Sequence, residues 1–322
     1  MSVQKKPSVV VIGGGTGMPV LLRGLKKYPI ELSALVTVAD DGGSTGRLRS
    51  AMDIPATGDI RNVIASLSEV EPMLLELFQH RFEKGNGLSG HSLGNLLLAA
   101  ISTINGDFYK GIREISRVFN VKGNIFPISN EPMTLHARLK NGNVISGESN
   151  IPNNESSIES VFITPENVEP LPEAVRAIRE ADLIVISPGS LYTSILPNII
   201  IPHIKEAIQQ TNAHIVYVCN VMTQAGETTE YTASDHVQAI FDHIGYHTIH
   251  SIIVHNETIS ETSRKLYAEE NASLVKYDID RLRLFGLQII EDDIIDHKEP
   301  TLRHDTDKVA KLLYAFLCKE DC

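Results

Sequence analysis

The first of two glycine-rich segments near the amino terminus contains residues suited to binding phosphate. Gly14, Gly15, Thr16 and Gly17 follow an apolar run and precede a helical pattern. Glycine lets the backbone turn sharply and approach a ligand, and the N–H groups that begin the next helix attract an anion. The spacing is not the G-x-G-x-x-G fingerprint, and the lysine of a P-loop is missing. A tight turn without a ligand is the alternative, but the density of glycines favours phosphate binding.

The second segment joins an acidic pair, Asp40 and Asp41, to small and basic residues. These residues are Gly42, Gly43, Ser44, Gly46 and Arg47. Asp40 is placed as the carboxylate that binds a ribose hydroxyl in dinucleotide folds. The pair could instead hold magnesium or, if the protein is an enzyme, act as a catalytic base. We expect the segment to form a second phosphate loop rather than a solvated Asp-Gly turn.

The letters G-x-S-x-G occur around Ser92 and are typical of a hydrolase nucleophile. A nucleophile elbow needs a strand before the serine, and residues 83–89 do not form one. The pattern therefore predicts a loop that begins a helix. His91 and Asn95 would then face the pocket, although His91 could equally be a structural cap.

Two later loops follow apolar runs and are rich in hydroxyl and amide groups. Their candidate ligand-binding residues are Gly189, Ser190, Thr193, Asn220, Thr223, Gly226, Glu227 and Thr228. Each loop alone could be an ordinary turn, but their recurrence at strand ends favours one common binding edge. Asp59 is either a helix cap or a ligand contact, and Arg303 either returns to the pocket or lies in a surface turn.

Short β-branched runs alternate with helical patterns along the chain. Strands are predicted at 8–12, 34–39, 183–187, 214–219 and 249–255. Helices are predicted at 18–27, 59–68, 72–82, 92–102, 107–119, 172–180, 197–209, 233–243 and 307–317. This alternation predicts an α/β fold with a doubly wound, Rossmann-like parallel sheet in a single domain, 1–322. We also expect a helical insertion at about 73–119 and an antiparallel hairpin at about 134–149, around Asn141-Gly142.

Composition narrows the classes of protein. The 322 residues are 42% hydrophobic and carry a net charge of −11, which supports a large core and disfavours nucleic acid as a partner. Cys219, Cys318 and Cys322 lack metal-ligand spacing and predict a reducing compartment without disulfides. The first apolar run is only a strand long, and none reaches the roughly 20 residues of a membrane span. We expect a cytoplasmic protein.

Seven ordered motifs resemble the YvcK-type gluconeogenesis factors of the CofD-like superfamily. They are GGGTGMPVLLRGL, ADDGGSTGRLR, GDIRN, GHSLGNLLLAA, SPGSLYTSILPN, CNVMTQAGETTEYTASDHV and LRHDTDKVA. The resemblance implies a Rossmann-like fold, a cytoplasmic location, and binding of UDP-sugars such as UDP-N-acetylglucosamine. It also implies a role in cell shape and envelope synthesis during growth on gluconeogenic carbon sources. In this family the Arg303 segment precedes the last helix, which favours its return to the ligand.

The superfamily also contains 2-phospho-L-lactate transferase, which transfers a phospholactyl group from a guanosine diphosphate donor with magnesium. Asp40 and Asp41 match the acidic pair that this enzyme places at its acceptor site, whereas residues 42–49 follow the YvcK pattern. Two hypotheses result. The favoured one is a regulatory protein that binds a nucleotide sugar and acts on protein partners. It would need no cofactor and would bind NAD only weakly, and it could form a homo-oligomer. The alternative is a magnesium-dependent transferase that uses a nucleotide diphosphate donor.

Overall fold

The computed structural model describes residues 5–154, 156–297 and 302–318. Its strands, in chain order, are β1 (Ser8–Gly13), β2 (Glu31–Val36), β3 (Asn124–Pro127), β4 (Thr134–Leu139), β5 (Val144–Ser146), β6 (Ile158–Thr164), β7 (Leu183–Ile186), β8 (His214–Val218), β9 (Ser251–His255), β10 (Gln288–Asp292), β11 (Ile295–Asp296) and β12 (Arg303–His304). Its helices are α1 (Gly17–Leu25), α2 (Gly43–Met52), α3 (Gly58–Leu67), α4 (Pro72–Gln79), α5 (Leu93–Asn105), α6 (Phe108–Val118), α7 (Pro172–Arg179), α8 (Leu196–Ile199), α9 (Pro202–Gln210), α10 (Ala233–Ile244), α11 (Glu261–Glu269), α12 (Ile279–Leu284) and α13 (Thr306–Leu317).

Seven parallel strands form the central sheet in the order β10-β9-β8-β7-β1-β2-β3. Their Val- and Ile-rich runs are buried because helices cover both faces, and Val9, Val10, Val11 and Ile12 have no exposed surface. From β1 the chain first builds one side of the sheet through β2 and β3, then returns to build the other from β7 to β10. The predicted doubly wound Rossmann-like fold is confirmed, and its switch point lies between β1 and β7.

The helical layer agrees with the prediction in most places and differs in three. Helices α4, α5 and α6 form the predicted insertion. The segment expected to be a second phosphate loop is instead helix α2, which begins at Gly43. The helix predicted at 197–209 is divided into α8 and α9 around Pro202, whose ring cannot continue a helix from the preceding turn. The polar helices α11 and α12 were not predicted.

The antiparallel part is larger than the predicted hairpin. β4 and β5 pair as expected, and β6 adds a third strand on the other side of β4. A separate pair of two-residue strands, β11 and β12, carries Arg303 back toward the main sheet. Cys219 is buried and Cys318 is exposed, both as free thiols, whereas Cys322 lies outside the described residues. Across the described ranges, every helix is too short or too polar to cross a membrane.

Candidate functional site

A cleft opens at the switch point, where the carboxyl ends of β1 and β7 diverge. The loop after β1 turns through Gly15, whose φ of +62° is a conformation that favours glycine. A Cβ added at Gly17 would lie 2.2 Å from the carbonyl oxygen of Pro188, in the loop after β7. The two loops therefore touch backbone to backbone, and only glycine at position 17 allows this approach.

The cleft has a volume of about 490 Å³ and brings together eight of the predicted residues. Those residues are Gly15, Thr16, Gly17, Gly189, Ser190, Asn220, Thr223 and Arg303. Its far wall contains Tyr267, Glu270, Leu302 and His304. Backbone N–H groups at the start of α1, small hydroxyls and a guanidinium thus share one concave surface, which is the chemistry that holds phosphate.

Two amide side chains fix the loops that form the cleft. Asn220 Oδ1 accepts from the N–H of Gly189 at 2.9 Å, and Asn220 Nδ2 donates to the Gly189 carbonyl at 2.7 Å. Gln224 Nε2 donates to Ser190 Oγ at 2.7 Å. The amide of Asn220 is thus engaged with the protein, which gives it a positioning role between the loops after β7 and β8.

Arg303 reaches the cleft on a short strand that Tyr267 holds in place. The Tyr267 hydroxyl donates to the Leu302 carbonyl at 3.2 Å and accepts from the Leu302 N–H at 3.0 Å. Arg303 is exposed and forms no ion pair with any residue that the structure describes. Burial and the positive charge of Arg303 together lower the pKa of Arg23, so two cations lie near one another in a strongly acidic chain.

Asp59 bonds directly to the phosphate-type loop. Its Oδ2 accepts from the Gly15 N–H at 2.8 Å, and a Cβ added at Gly14 would lie only 2.5 Å from the same oxygen. Burial chiefly raises the Asp59 pKa to about 6, and Asp40 raises it further, against the lowering effect of the Gly15 N–H and of Arg61. Asp59 therefore positions this loop in addition to lying in the first turn of α3.

Several carboxylates lie close enough together to raise one another's pKa. Burial raises the pKa of Glu148 to about 8, helped by the nearby charges of Asp40, Glu227, Asp41 and Asp59. Burial also raises the pKa of Glu227 to about 7, although Thr193 Oγ1 donates to it at 3.2 Å. We call these five residues the carboxylate chamber. Among the described residues, no three histidine, cysteine or acidic side chains are arranged to hold one metal ion.

The predicted acidic pair does not act as a unit. Asp40 Oδ1 accepts from the Gly42 N–H at 2.9 Å, and Gly58 approaches its other oxygen closely. Asp41 turns the other way, and its Oδ1 accepts from the Ser149 N–H at 2.9 Å. The two carboxylates thus hold different loops, which argues against their sharing a metal ion.

The rest of the second glycine segment lies away from the cleft. Ser44 Oγ lies 2.9 Å from His91 Nδ1 and accepts from Asn95 Nδ2 at 3.2 Å, so these polar groups are buried against one another. Arg47 donates to the Ser89 carbonyl at 2.8 Å. Gly43, Gly46, Arg47 and Asp41 line a separate open depression. The predicted second phosphate loop is thus the start of helix α2, and it faces this depression rather than the cleft. Phosphate binding by this segment stays a prediction.

Three other predicted residues pack beneath the cleft. Thr228 has no exposed surface, and its Oγ1 accepts from the Gln224 N–H at 3.0 Å. Glu227 accepts from the Tyr192 N–H and from Thr193. Gly226, with φ of +77°, lies so close to Pro152 that an added Cβ would be 1.8 Å from its carbonyl oxygen. The segment after β5 is thereby joined to the loop after β8.

Ser92 caps α5 by accepting from the Asn95 N–H at 3.3 Å, as the helix-start interpretation predicts.

Comparison with known proteins now decides the family. A protein-family model described as 2-phospho-L-lactate transferase CofD matches residues 9–295 of this chain. The chain belongs to the CofD family. Within this family it is 53% identical to the gluconeogenesis factor of Bacillus subtilis over 313 residues, which cover 97% of this chain and 99% of that protein.

Another relative and a solved structure give a similar result. The gluconeogenesis factor of Halalkalibacterium halodurans is 55% identical over 309 residues, which cover 96% of each chain. A crystal structure at 2.60 Å of a Bacillus halodurans protein, described as a member of the UPF0052 family, matches with a TM-score of 0.94 at 54% identity. That match covers 96% of this chain and 99% of the other. The resemblance to gluconeogenesis factors is confirmed.

Four residues of this CofD-family site have little local signal in the sequence. Tyr267 and Glu270 lie on or after the polar helix α11, and Glu148 lies in a Ser- and Asn-rich turn. Asp59 looked as much like a helix cap as a ligand. Asp59 directly follows Gly58, and an acidic residue beside a glycine could have been used as a sign of a binding site. The other three residues reach the site only through the tertiary fold.

Proposed function

We propose that this protein binds a UDP-sugar, such as UDP-N-acetylglucosamine, in the switch-point cleft. The observation that carries the proposal is the placement of Arg303 opposite the loop of Gly15, Thr16 and Gly17. A diphosphate between them would receive backbone N–H groups and the start of α1 on one side and a guanidinium on the other. Because the whole chain carries −11, such local donors must supply the attraction.

The two ends of the cleft suit the two ends of a nucleotide sugar. Tyr267 offers an aromatic ring against which a base can stack, and Glu270 offers a carboxylate that can accept from a base N–H. Ser190 and Thr223, which line the same cleft, offer hydroxyl groups that can bond to a sugar. A cleft of about 490 Å³ falls within the usual range for small-molecule sites.

NAD fits the same cleft less well. An NAD site in this fold uses a carboxylate at the end of the second strand for the ribose, and Asp40 has that place in the sequence. Here Asp40 accepts from the Gly42 N–H and packs against Gly58, and it does not line the cleft. We therefore propose that NAD binds more weakly than a UDP-sugar.

The role that we propose is regulatory and cytoplasmic. The relatives at 53% and 55% identity are called gluconeogenesis factors. We propose that nucleotide-sugar binding supports growth on gluconeogenic carbon sources, and with it cell shape and envelope synthesis, through protein partners. Binding of this kind requires no catalytic residue.

The alternative is a transferase acting on a nucleotide diphosphate donor, which the name of the family model and the carboxylate chamber favour. Because its pKa is about 8, the ionised form of Glu148 is a stronger base than an ordinary carboxylate and could accept the proton of an attacking acceptor hydroxyl. Asp40 and Asp41 are placed less well for this role because both accept backbone N–H groups. The described side chains do not form a magnesium site by themselves, so we derive no step through a metal.

Calorimetric titration with UDP-N-acetylglucosamine, UDP, GDP and NAD tests the proposal. We expect UDP-N-acetylglucosamine to bind tightest and NAD weakest. Tighter binding of NAD than of every UDP-sugar would overturn the assignment. Mass spectrometry of each nucleotide after incubation with magnesium and a candidate acceptor distinguishes the alternative, because a transferase would cleave the diphosphate and a binding protein would return it unchanged.

A further inference from the structure

Arg303 lies on a strand that is too short to fix its own position. β12 consists of Arg303 and His304, which pair with Asp296 and Ile295 of β11 in a separate two-stranded sheet. A two-stranded ribbon by itself is marginally stable in water. Contacts made by neighbouring side chains must therefore hold Arg303 toward the cleft.

Two of these contacts tie the ends of β12 to peripheral elements. The Tyr267 hydroxyl of α11 bonds to both the N–H and the carbonyl of Leu302. On the other side, the Asp305 N–H donates to the Ile294 carbonyl at 2.7 Å, and the Asp305 carboxylate caps α13. Because Ile294 directly precedes β11, neither contact connects β12 to the central sheet.

The His304 side chain makes that connection. Its Nε2 lies 3.0 Å from the carbonyl oxygen of Cys219, and since a carbonyl can only accept, Nε2 carries the hydrogen. Cys219 directly follows β8, and its own N–H donates to the Ile253 carbonyl of β9 at 3.0 Å. The next residue, Asn220, bonds to the backbone of Gly189. A chain of hydrogen bonds thus runs from β12 to the end of β8 and on to the loop after β7.

His304 lines the cleft without adding charge to it. Burial chiefly lowers the pKa of His304 to about 4, and His255 lowers it further, although the bond to the Cys219 carbonyl raises it. The imidazole is therefore neutral at neutral pH, so it cannot attract a phosphate group through charge as Arg303 can. A neutral ring with a fixed tautomer is suited to holding a neighbouring element in place.

We propose that His304 is a positioning residue, which holds Arg303 toward the loop after β1 by tying β12 to the carbonyl of Cys219. This role rests on the proposed function, in which Arg303 binds the diphosphate of a nucleotide. Without the tie, the guanidinium occupies more positions in the free protein. Part of the binding free energy is then used to order β12 when the ligand binds.

A double-mutant cycle measured by calorimetric titration with UDP-N-acetylglucosamine tests this role. His304→Leu removes the donor, and we expect it to weaken binding about 10-fold, within the range of coupling between neighbouring residues. In an Arg303→Ala background, His304→Leu should change the affinity by less than about twofold, because there is no guanidinium left to position. His304→Gln retains an N–H at a similar distance from the backbone and should recover most of the affinity.

His243→Leu is the matched control. His243 is also partly buried and also bonds to backbone groups, with Nδ1 donating to the Ala239 carbonyl at 2.6 Å and Nε2 accepting from the Val161 N–H at 3.0 Å. It lies on α10 and is not among the residues that line the cleft, so its loss should leave the affinity unchanged. Thermal unfolding shows whether each variant is folded. If His304→Leu does not fold, His304→Asn replaces it, because the shorter amide cannot reach Cys219.

Hydrogen–deuterium exchange of residues 302–305, measured without ligand, tests the tie itself. We expect exchange at least about 10-fold faster in His304→Leu than in wild type, slowed again in His304→Gln and unchanged in His243→Leu. Unchanged exchange in His304→Leu would overturn the proposal. An equal loss of affinity with and without Arg303 would also overturn it, since His304 would then contact the ligand directly. A wild-type protein that binds no UDP-sugar would contradict the proposed function, while the exchange result would still decide whether His304 holds β12.

Discussion

The two glycine-rich segments look alike in sequence and differ in structure. Gly13, Gly15 and Gly17 form an open turn at the switch point, and this turn touches the loop after β7. The segment from Gly42 to Arg47 contains three glycines and a basic residue, but it begins helix α2 and faces a separate depression. The difference teaches that position in the sheet decides which glycines reach the cleft: β1 adjoins the switch point, whereas β2 lies one strand away from it.

Gly17→Ala should have the largest effect on ligand binding. The added Cβ would lie 2.2 Å from the Pro188 carbonyl oxygen, so the two loops of the cleft must move apart. We expect a loss of about 1–3 kcal/mol in the free energy of unfolding from this overpacking. A displacement on the order of 1 Å should also weaken UDP-N-acetylglucosamine binding about 100-fold in a calorimetric titration.

Gly43→Ala is the matched control from the second segment. Gly43 also begins a helix, has φ of +45°, and has no atom within 4 Å of an added Cβ. Its backbone strain should cost about 1–2 kcal/mol of stability, whereas the affinity should stay within about twofold of wild type. Equal affinities for Gly17→Ala and wild type would show that the ligand binds elsewhere.

Arg303→Ala should have the next largest effect. Losing a charge-assisted hydrogen bond to the diphosphate costs about 1.5–3 kcal/mol, or roughly 10- to 150-fold in affinity. Arg303→Lys should recover only part, because an ammonium lacks the planar fork of a guanidinium. Arg179→Ala serves as the control, since Arg179 is exposed at the end of α7, before β7 begins at the opposite edge of the sheet. A dissociation constant unchanged by Arg303→Ala at the same salt would remove Arg303 from the site.

Asp59 gives a pH-dependent prediction about the loop after β1. Its pKa rises from 3.8 unfolded to about 6 folded, mainly through burial. The folded protein thus holds this proton more tightly, and the resulting stability is complete below about pH 3.8 and is lost as the pH rises through 6. Asp59→Asn keeps an oxygen to accept the Gly15 N–H but never ionises. Near pH 8 we expect the variant to be more stable than wild type by about 1–3 kcal/mol, with the difference shrinking toward pH 4.

Urea denaturation of both proteins at several pH values measures this difference. Glu148 and Glu227 also have raised pKa values and are present in both proteins. Because the charge of Asp59 helps to raise the pKa of Glu148, part of the difference near pH 8 is the loss of that repulsion. Asp53→Asn is the control, because Asp53 is exposed after α2. If the stability difference for Asp59→Asn is the same at pH 4 and pH 8, Asp59 does not titrate as described.

Local patterns predicted most of the sheet because its central strands are continuous in Val and Ile. The misses have physical causes. β3 has four residues and ends in Pro127, and β10 reads as QIIED, so neither shows a run long enough to recognise. α11 is polar on all sides, so its sequence lacks the apolar stripe that reveals a helix.

Residues of the candidate site were predictable where a local pattern, such as glycines or a polar loop after a strand, marks them. The loop of Gly14 to Gly17 contains its own signal, because glycines, a strand and a helix lie next to one another. Tyr267 and Glu148 reach the site through contacts between segments more than 100 residues apart from that loop. Asn220 was predicted from its place after a strand, but its bonds to Gly189 depend on the neighbouring strand and could not be read from the sequence.

The smallest expected effect is that of Arg47→Ala, and it tests the contrast between the two segments most directly. The sequence makes Arg47 a phosphate ligand, whereas in the structure its guanidinium donates to the Ser89 carbonyl at 2.8 Å beside the open depression. An exposed contact of this kind contributes little, so we expect a change of under about 0.5 kcal/mol in stability and an affinity for UDP-N-acetylglucosamine within about twofold of wild type. Arg303→Ala, titrated in parallel, removes one positive charge from within the cleft, whereas Arg47→Ala removes one from outside it. If only Arg303→Ala weakens binding, the loss is due to a direct contact and not to a lower overall positive charge. A loss of 10-fold or more for Arg47→Ala would bring the second glycine segment into the site, and the ligand would then extend across β2 as well as along the switch point.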